Sequence, residues 1–263
     1  MSQPLSFVVL GATGGIGSEL CRRLAAKGAR LTIGGRNELK LAELAAELGA
    51  HAYVVDATQG DQVDRLFDEA IRVNGIIHGV AHCVGSLLLK PAHLTSDAEW
   101  SATLETNLTS AFFTVRAAAR TMMRTGGSVV LISSAVSQIG LANHEALAAA
   151  KAGIIGLMLS AAATYAPQGL RFNCVAPGLV RTPLTARLTG SESMLRASMR
   201  RHPLRRIGEP VDVVSAIEWL LDPAQSWVTG VVIPVDGGLS RILPSTRVSK
   251  DLQADGDEAA PYS

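Results

Sequence analysis

This 263-residue chain has almost no net charge and few aromatic side chains. Lysine and arginine (24) barely exceed aspartate and glutamate (23), and aromatic residues make up 4% of the chain. A net charge of +1 gives no long-range attraction to nucleic acid or an anionic membrane, so we expect neither as a partner. The balance of charge is broken locally by a basic cluster of Arg200, Arg201, Arg205 and Arg206. We interpret this cluster as either a solvated face or an anion contact.

Cysteine is also scarce, and the three thiols (Cys21, Cys83 and Cys174) lie in apolar or helical surroundings. An odd number of this kind favours free thiols in a reducing compartment and excludes a disulfide-based scaffold. The first residues carry no basic segment followed by a long apolar run, so we expect no signal peptide and a cytoplasmic protein. The apolar stretch 146–163 contains Lys151 and many small residues, which favours tight helix packing over a membrane span. We also expect no metal site.

The chain is organised around a glycine-rich turn near its start. Apolar residues 7–10 predict a buried strand, glycines follow at positions 11, 15 and 17, and an amphipathic helix pattern runs from Ile16 to Gly28. A bare backbone at such a turn lets a pyrophosphate approach, and the helix N-terminus offers free N–H groups. The pattern therefore predicts a dinucleotide site, although glycine triplets also occur in ordinary tight turns.

The second predicted strand, 29–33, ends beside Gly35 and Arg36. In a dinucleotide fold an acidic residue here binds the ribose 2′-hydroxyl of NAD, whereas an arginine without an acidic neighbour accepts a 2′-phosphate. Because Gly35 occupies the acidic position, the sequence favours NADP(H) over NAD(H). The alternative is that Arg36 only ends a surface loop.

Strands and helices alternate along the rest of the chain, and 48% of residues are apolar. The predicted strands are 7–10, 29–33, 52–55, 76–81, 128–132, 170–176 and 228–235. One long helix is expected over 97–124, with Asn107 in its interior, and another over 145–165. We therefore predict an α/β fold: one Rossmann-type domain over 1–244, with a doubly wound seven-stranded parallel sheet and helices on both faces. Polar residues 181–208 predict a mobile substrate lid, and residues 245–263 a flexible tail.

Several stretches coincide in order and spacing with one known family. They are the glycine turn 11–17, Asp56 after strand three, 106–108 (Thr-Asn-Leu), Ser133-Ser134, Lys151, Pro177-Gly178 with Thr182, and 228–238. In this combination the chain resembles the short-chain dehydrogenase/reductase family over roughly residues 5–240. The nearest likeness is to 3-oxoacyl-carrier-protein reductases and related alcohol or ketone dehydrogenases.

The resemblance implies a role for each matching residue. The pyrophosphate cradle would comprise Gly11, Thr13, Gly14, Gly15, Ile16 and Gly17. The adenosine side would comprise Asp56, Ala57, Val84 and Gly85, and the nicotinamide amide would contact Pro177, Gly178, Val180 and Thr182. Lys151 would bind the nicotinamide ribose, Asn107 would order a water, and Ser134 would hydrogen-bond the substrate carbonyl oxygen.

Two positions depart from the family pattern. His82-Cys83-Val84-Gly85 stands where the family usually has Asn-Asn-Ala-Gly, so an amide that steadies the sheet is replaced, which we interpret as a packing variation. The family's proton donor is a tyrosine four residues before the lysine and thirteen after the serine. Both counts give Leu147, which cannot donate a proton.

A substitute acid can be named at the start of the same helix. His144 lies three residues before Leu147, and histidine is the side chain that most readily exchanges protons near neutral pH. Glu145 is its neighbour. The alternative is that His144 is a loop-end residue and Glu145 a favourable first-turn carboxylate.

Three hypotheses follow for function. The first is an NADP(H)-preferring oxidoreductase of a ketone or secondary alcohol with altered proton delivery, supported by Asn107, Ser134 and Lys151. The second is a nucleotide-binding pseudoenzyme acting as a sensor, scaffold or hetero-oligomer subunit, supported by Leu147. The third is an isomerase or dehydratase-like lyase that keeps the fold and the nucleotide.

Two further predictions concern surfaces. Small residues on one helix face predict a homo-oligomer, as the family commonly forms dimers or tetramers: Ala148, Ala149, Ala152 and Gly156. A set of leucines would either line a substrate pocket or belong to the core: Leu87, Leu88, Leu89, Leu141, Leu184 and Leu188.

Overall fold

The computed structural model describes residues 4–243, in which seven strands form one parallel sheet. The strands are β1 (Ser6–Leu10), β2 (Arg30–Gly35), β3 (His51–Val54), β4 (Gly79–His82), β5 (Gly127–Ile132), β6 (Leu170–Pro177) and β7 (Val232–Val235). Their order across the sheet is β3-β2-β1-β4-β5-β6-β7, and every neighbouring pair is parallel. The predicted α/β fold with a doubly wound seven-stranded sheet is confirmed. The predicted tail, 245–263, lies outside the described residues.

Helices cover both faces of this sheet. They are α1 (Gly15–Ala26), α2 (Glu38–Leu48), α3 (Gly60–Asn74), α4 (Asp97–Leu104), α5 (Ser110–Met122), α6 (Glu145–Tyr165), α7 (Ala186–Thr189), α8 (Glu192–Arg201) and α9 (Pro210–Leu221). One buried cluster, with Phe67 and Met158, packs α3, α5 and α6 on one face. A second, with Leu20 and Ile217, packs α1, α2 and α9 on the other. Alternate strand residues contribute to the two clusters, as a sheet buried on both sides requires.

The strand order reverses between β1 and β4, which places a crevice at their carboxyl ends. Leu10 pairs with His82, so the turns that follow the two strands begin side by side. A Cβ on Gly11, whose φ is +73°, would lie 2.8 Å from the carbonyl carbon of Cys83. Only glycine fits this close approach of two backbones.

The predicted helix over 97–124 is not continuous. It begins at Asp97 with the capping box of Ser96 and Glu99, but a π-helical turn, Glu105–Thr109, separates α4 from α5. Asn107 lies in this turn, and its Nδ2 donates to the carbonyl oxygen of Thr103 at 2.9 Å. Asparagine competes with backbone hydrogen bonds in this way, which favours a wider turn at this residue.

The last strand is shorter than predicted and begins at Val232 rather than at Val228. The carbonyl oxygen of Val228 accepts side-chain hydrogen bonds from Arg171 at 2.8 Å and from Asn173 at 3.1 Å. These side-chain donors take the place of the backbone N–H group to which a strand carbonyl would bond. Similarly, the fourth strand begins at Gly79 instead of residue 76.

The predicted lid, 181–208, follows β6 and contains a 3₁₀ turn (Pro183–Thr185), α7 and α8. Val180 and Gly208, which flank it, form a parallel bridge, so its two ends lie together. Its mobility stays a prediction.

One helical segment, Glu145–Gln168, is long and apolar enough to cross a membrane by length and composition. In the fold this segment is the core helix α6 with the turn that follows it. Ile154, Met158 and Ala161 are buried in the cluster that packs against the sheet. A core helix of this kind meets the same criteria as a membrane span, so the segment is weak support for one.

Candidate functional site

The glycine-rich turn forms the floor of the crevice between β1 and β4. A Cβ on Gly17 would overlap the carbonyl oxygen of Gly11, and one on Gly15 would lie 2.8 Å from Cγ2 of Thr182. Helix α1 begins here with Gly14 as N-cap, without a side-chain cap and without an acidic residue in its first turn. An uncapped, glycine-lined helix N-terminus of this kind fits a phosphate group.

A cavity of about 650 Å³ opens above this turn, at the carboxyl ends of the central strands. Many of the residues predicted for the site line it together: Gly14, Gly15, Ile16, Val84, Gly85, Ser134, His144, Leu147, Lys151, Pro177, Gly178, Val180 and Thr182. Its volume is within the range of small-molecule sites. The structure therefore brings the predicted nicotinamide and substrate residues to one place.

Lys151 is the buried cation of this cavity, with a residue exposure of 6%. Its Nζ donates to the carbonyl oxygen of Ile132 at 2.9 Å, and its own carbonyl accepts from Ser133 Oγ at 2.8 Å. Desolvation lowers the pKa of Lys151 to about 8, while the neighbouring Cys174 and Cys83 oppose the shift. The ammonium is therefore held in place at the end of β5 and becomes neutral above about pH 8.

Ser134 follows β5 and is half-buried beside the cavity. Its Oγ accepts a long hydrogen bond from the backbone N–H of Val136, at 3.4 Å. Among the described residues its hydroxyl hydrogen has no acceptor, so this hydroxyl can donate to an oxygen atom in the cavity.

Leu147 lies one turn before Lys151 on α6 and is buried, with 4% exposure. Residues four apart lie on the same helix face, and both side chains line the cavity. On this helix face, the position one turn before the buried ammonium is therefore apolar.

His144 is the N-cap residue of α6 and also lines the cavity. It follows Asn143, whose φ of +65° turns the chain into the helix. Its Nδ1 lies 2.7 Å from the carbonyl oxygen of Ala142, which makes Nδ1 the donor. Nε2 is then the ring atom left to exchange a proton. Glu145, the neighbouring acidic residue at the start of α6, is exposed and does not line the cavity.

Asn107 is fully buried behind the cavity wall. Its Oδ1 accepts from the backbone N–H of Ser86 at 3.2 Å, and its Nδ2 donates to Ser86 Oγ at 2.9 Å. A Cβ on Gly85 would lie 3.1 Å from Asn107 Oδ1 and 3.4 Å from Lys151 Nζ. Asn107, Gly85 and Lys151 therefore converge, and the amide holds the loop after β4. Its role in ordering a water stays a prediction.

Of the residues predicted to meet the adenosine side, Val84 and Gly85 line the cavity, whereas Arg36, Asp56 and Ala57 lie outside its lining, at the ends of β2 and β3. Arg36 is exposed and makes no side-chain hydrogen bond within residues 4–243. Asp56 Oδ1 accepts from the backbone N–H and hydroxyl of Thr58 at 3.0 and 2.8 Å, and Ala57 is buried. The glycine turn residues Gly11, Thr13 and Gly17 also lie outside the lining.

His82 occupies a fully buried position at the end of β4. Its Nδ1 lies 2.8 Å from Thr114 Oγ1 and its Nε2 lies 3.1 Å from Ser110 Oγ, which ties the strand to α5. Desolvation, assisted by the charge of Lys151, lowers the pKa of His82 to about 3. A neutral imidazole therefore holds this strand to the helix layer.

Part of the lining was not predicted from the sequence. Residues from α8 and its neighbours close one side: Leu179, Met194, Ala197, Ser198, Arg201, His202 and Leu239. The sequence did not decide which of six leucines line a pocket and which belong to the core. Five of them line the cavity: Leu87, Leu89, Leu141, Leu184 and Leu188. Leu88 does not line it. The weak periodicity of 181–208 gave no sign of which face would turn inward.

A parallel sheet with a glycine-rich turn at its topological switch point is typical of dinucleotide-binding α/β proteins. A family model described as Enoyl-(Acyl carrier protein) reductase matches residues 11–240. The chain belongs to the short-chain dehydrogenase/reductase family.

Relatives and solved structures of this family match most of the chain. Cis-4-hydroxycyclohexanecarboxylate dehydrogenase of Sinomonas cyclohexanicum is 37% identical over 242 residues, which cover 89% of this chain and 96% of that protein. A short-chain type dehydrogenase/reductase from Mycobacterium ulcerans superposes with a TM-score of 0.88 and 33% identity, covering 95% of each chain. A variant of actinorhodin polyketide ketoreductase, solved with NADPH, has a TM-score of 0.87 and 26% identity, covering 92% of this chain and 100% of that one.

Proposed function

We propose that this protein is an NADP(H)-preferring oxidoreductase that interconverts a ketone and a secondary alcohol, with atypical proton transfer. The observation that carries the proposal is the convergence of three features in one cavity. Residues 14–16 of the uncapped glycine turn, the free hydroxyl of Ser134 and the anchored ammonium of Lys151 all line it. Together they can hold a dinucleotide, a carbonyl oxygen and a ribose, as the family resemblance implies.

The chemistry requires a hydride at the carbonyl carbon and a proton at its oxygen. A bound nicotinamide cofactor supplies the hydride. Ser134 donates a hydrogen bond to the carbonyl oxygen and polarises it, while Lys151 holds the nicotinamide ribose. Leu147, at the position we assign to the family's tyrosine, supplies no proton. We assign proton delivery to the Nε2–H of His144 as imidazolium, which is left as the neutral ring with its hydrogen on Nδ1. Without an acid, correct positioning alone would still allow slow transfer.

The preference for the 2′-phosphorylated cofactor rests on Arg36 and Gly35. The guanidinium of Arg36 has no side-chain partner among the described residues and follows the strand that would meet the adenosine ribose. Gly35 contributes no carboxylate that would repel a phosphate. Asp56 and Ala57 would then contact the adenine.

A second candidate function is a nucleotide-binding pseudoenzyme that acts as a sensor, scaffold or hetero-oligomer subunit. The specific observation in its favour is Leu147, a buried apolar side chain one turn from the lysine. Such a protein would bind the cofactor at the same turn and transfer no hydride.

The proposed assembly is a homo-oligomer, a dimer or tetramer, in a cytoplasmic setting. Ala149, Ala152 and Gly156 on α6 are exposed, and a Cβ on Gly156 would meet no atom within 4 Å. A second copy of the helix can approach such a face closely. The three cysteines are free, as expected in a reducing compartment. A clean monomer in size-exclusion chromatography would contradict the oligomer.

The function is tested first by calorimetric titration with NADPH and with NADH. The NADPH-loaded protein is then mixed with a ketone panel under single-turnover conditions. The panel includes 4-oxocyclohexanecarboxylate, because one relative is named as the dehydrogenase of the corresponding hydroxy acid. Binding with oxidation of NADPH supports the enzyme, and binding without oxidation of any ketone favours the pseudoenzyme. Failure to bind either nucleotide would contradict both functions.

A further inference from the structure

The cavity has a polar inner end and an apolar body. Lys151 and Ser134 lie at the inner end, and the walls are formed by leucines from the loop after β4 and from the segment 181–208. Among residues 4–243, no aspartate or glutamate lines it. An anionic group would therefore meet no like charge from this part of the chain, whereas a cationic substrate would meet Lys151 without a counter-ion from it.

Besides Lys151, Arg201 is the other lysine or arginine that lines the cavity among residues 4–243. It is the last residue of α8 and lies at the exposed rim of the cavity. Three other arginines near it are neutralised by carboxylates: Arg181 by Glu209, Arg196 by Glu192 and Arg206 by Asp212. Arg201 forms no salt bridge or side-chain hydrogen bond within residues 4–243. Its neighbour Arg200 is also without a carboxylate partner there, but it is not part of the lining.

The position of Arg201 is set by the next residue. His202 is buried, with 3% exposure, its Nδ1 lies 2.7 Å from the carbonyl oxygen of Ser198, and its Nε2 accepts from the N–H of Leu179 at 3.2 Å. These two bonds fasten the end of α8 to the loop after β6. A cation on a fastened element loses less conformational freedom on binding than one on a free loop.

We infer that Arg201 is a specificity-determining residue that binds an anionic group at the far end of the substrate. This inference rests on the proposed function and names its substrate class. The substrate is a ketone or secondary alcohol with an apolar body and a terminal carboxylate or phosphate. The planar guanidinium can donate two parallel hydrogen bonds to either anion while the carbonyl lies at Ser134.

The test compares wild type with Arg201→Gln, Arg201→Lys and the matched control Arg200→Gln. Calorimetry on the NADP⁺-loaded proteins measures binding of a graded series of straight-chain and cyclohexane-based keto acids, their methyl esters and matching keto-alkyl phosphates. Binding does not require turnover, so the test stays informative if the protein transfers no hydride. NADP⁺ affinity and the melting temperature of each variant are measured alongside.

We expect Arg201→Gln to weaken binding of the preferred anion roughly ten- to hundred-fold and to leave the methyl ester unchanged. Arg201→Lys is expected to recover part of the affinity, and Arg200→Gln to retain all of it. The tighter of the two anions identifies carboxylate or phosphate as the natural group. Equal loss for acid and ester, no loss for either, or a loss confined to NADP⁺ would overturn the inference.

Discussion

Leu147 lies one helical turn before Lys151 on α6, and both side chains are buried against the same cavity. The family resemblance expects a phenol at the first position and an ammonium at the second. By that resemblance, this chain has the cation and carries an apolar side chain where the acid is expected.

In a His144→Gln background, which lacks the assigned acid, Leu147→Tyr should increase the single-turnover rate of NADPH oxidation by a reactive ketone by about 10²–10⁴-fold, the range for general acid catalysis. The phenol would lie on the helix face that carries Lys151, whose charge lowers the pKa of a neighbouring phenol. Stopped-flow absorbance of NADPH measures the rate. Leu147→Phe is the matched control because it adds the ring without the hydroxyl. An equal gain in both variants, or no gain in either stably folded variant, would contradict the assignment.

His144→Gln should lower the same rate in the otherwise unchanged chain, because it removes the ring nitrogen assigned to proton delivery. The expected loss is about 10²–10⁴-fold, with little change in NADPH affinity. Glu145→Gln is the control, since Glu145 is adjacent and lies outside the lining. Adding Leu147→Tyr to His144→Gln should restore the rate. A rate that His144→Gln leaves unchanged would remove His144 from the mechanism.

Arg36→Ala should weaken NADPH binding roughly ten- to hundred-fold and leave NADH binding unchanged, because a charge-assisted contact to the 2′-phosphate is lost. Adding Gly35→Asp should then favour NADH. A Cβ on Gly35 would make an ordinary contact, since its nearest neighbour, Thr13 Oγ1, would lie 3.4 Å away. Arg36→Lys, which keeps the charge, is the control. Calorimetry with both nucleotides measures the preference, and parallel losses for NADPH and NADH would show that Arg36 does not read the phosphate.

His82 should make the fold sensitive to acid. Its folded pKa is about 3 against an ordinary value of 6.5, so below pH 6.5 the unfolded chain binds a proton that the folded protein does not. The free energy of unfolding should then fall as the pH is lowered, with a slope from this residue that approaches about 1.4 kcal/mol per pH unit well below pH 6.5. His82→Asn does not titrate and should remove this contribution to the slope in urea unfolding measured from pH 7 to 5. His93→Asn, at an exposed position, should keep the wild-type slope. An unchanged slope in His82→Asn would refute the prediction.

Elements with local signals were predicted well. The helix over 145–165 has the predicted bounds, and α1 ends at Ala26, just before Gly28, whose φ is +77°. Caps, glycine turns and apolar periodicity act over a few residues, so the sequence alone contains them. The doubly wound sheet follows from the alternation of these elements.

Features that depend on distant partners were missed. The π-helical turn at Asn107 reflects bonds to Thr103 and to Ser86, twenty-one residues away. The late start of β7 reflects side chains of Arg171 and Asn173, more than fifty residues earlier. No periodicity in one segment records a bond that another segment supplies.

The sequence by itself determined the fold class, the family, the glycine cradle and the absence of a phenol at residue 147. Each depends on residue identity at a fixed spacing. Only the tertiary structure decided which of several unpaired arginines lines the cavity and which leucines leave the core. Those outcomes depend on how α8 and the loop after β4 pack across the sheet, where His202 and Asn107 hold them by bonds between segments far apart in the chain.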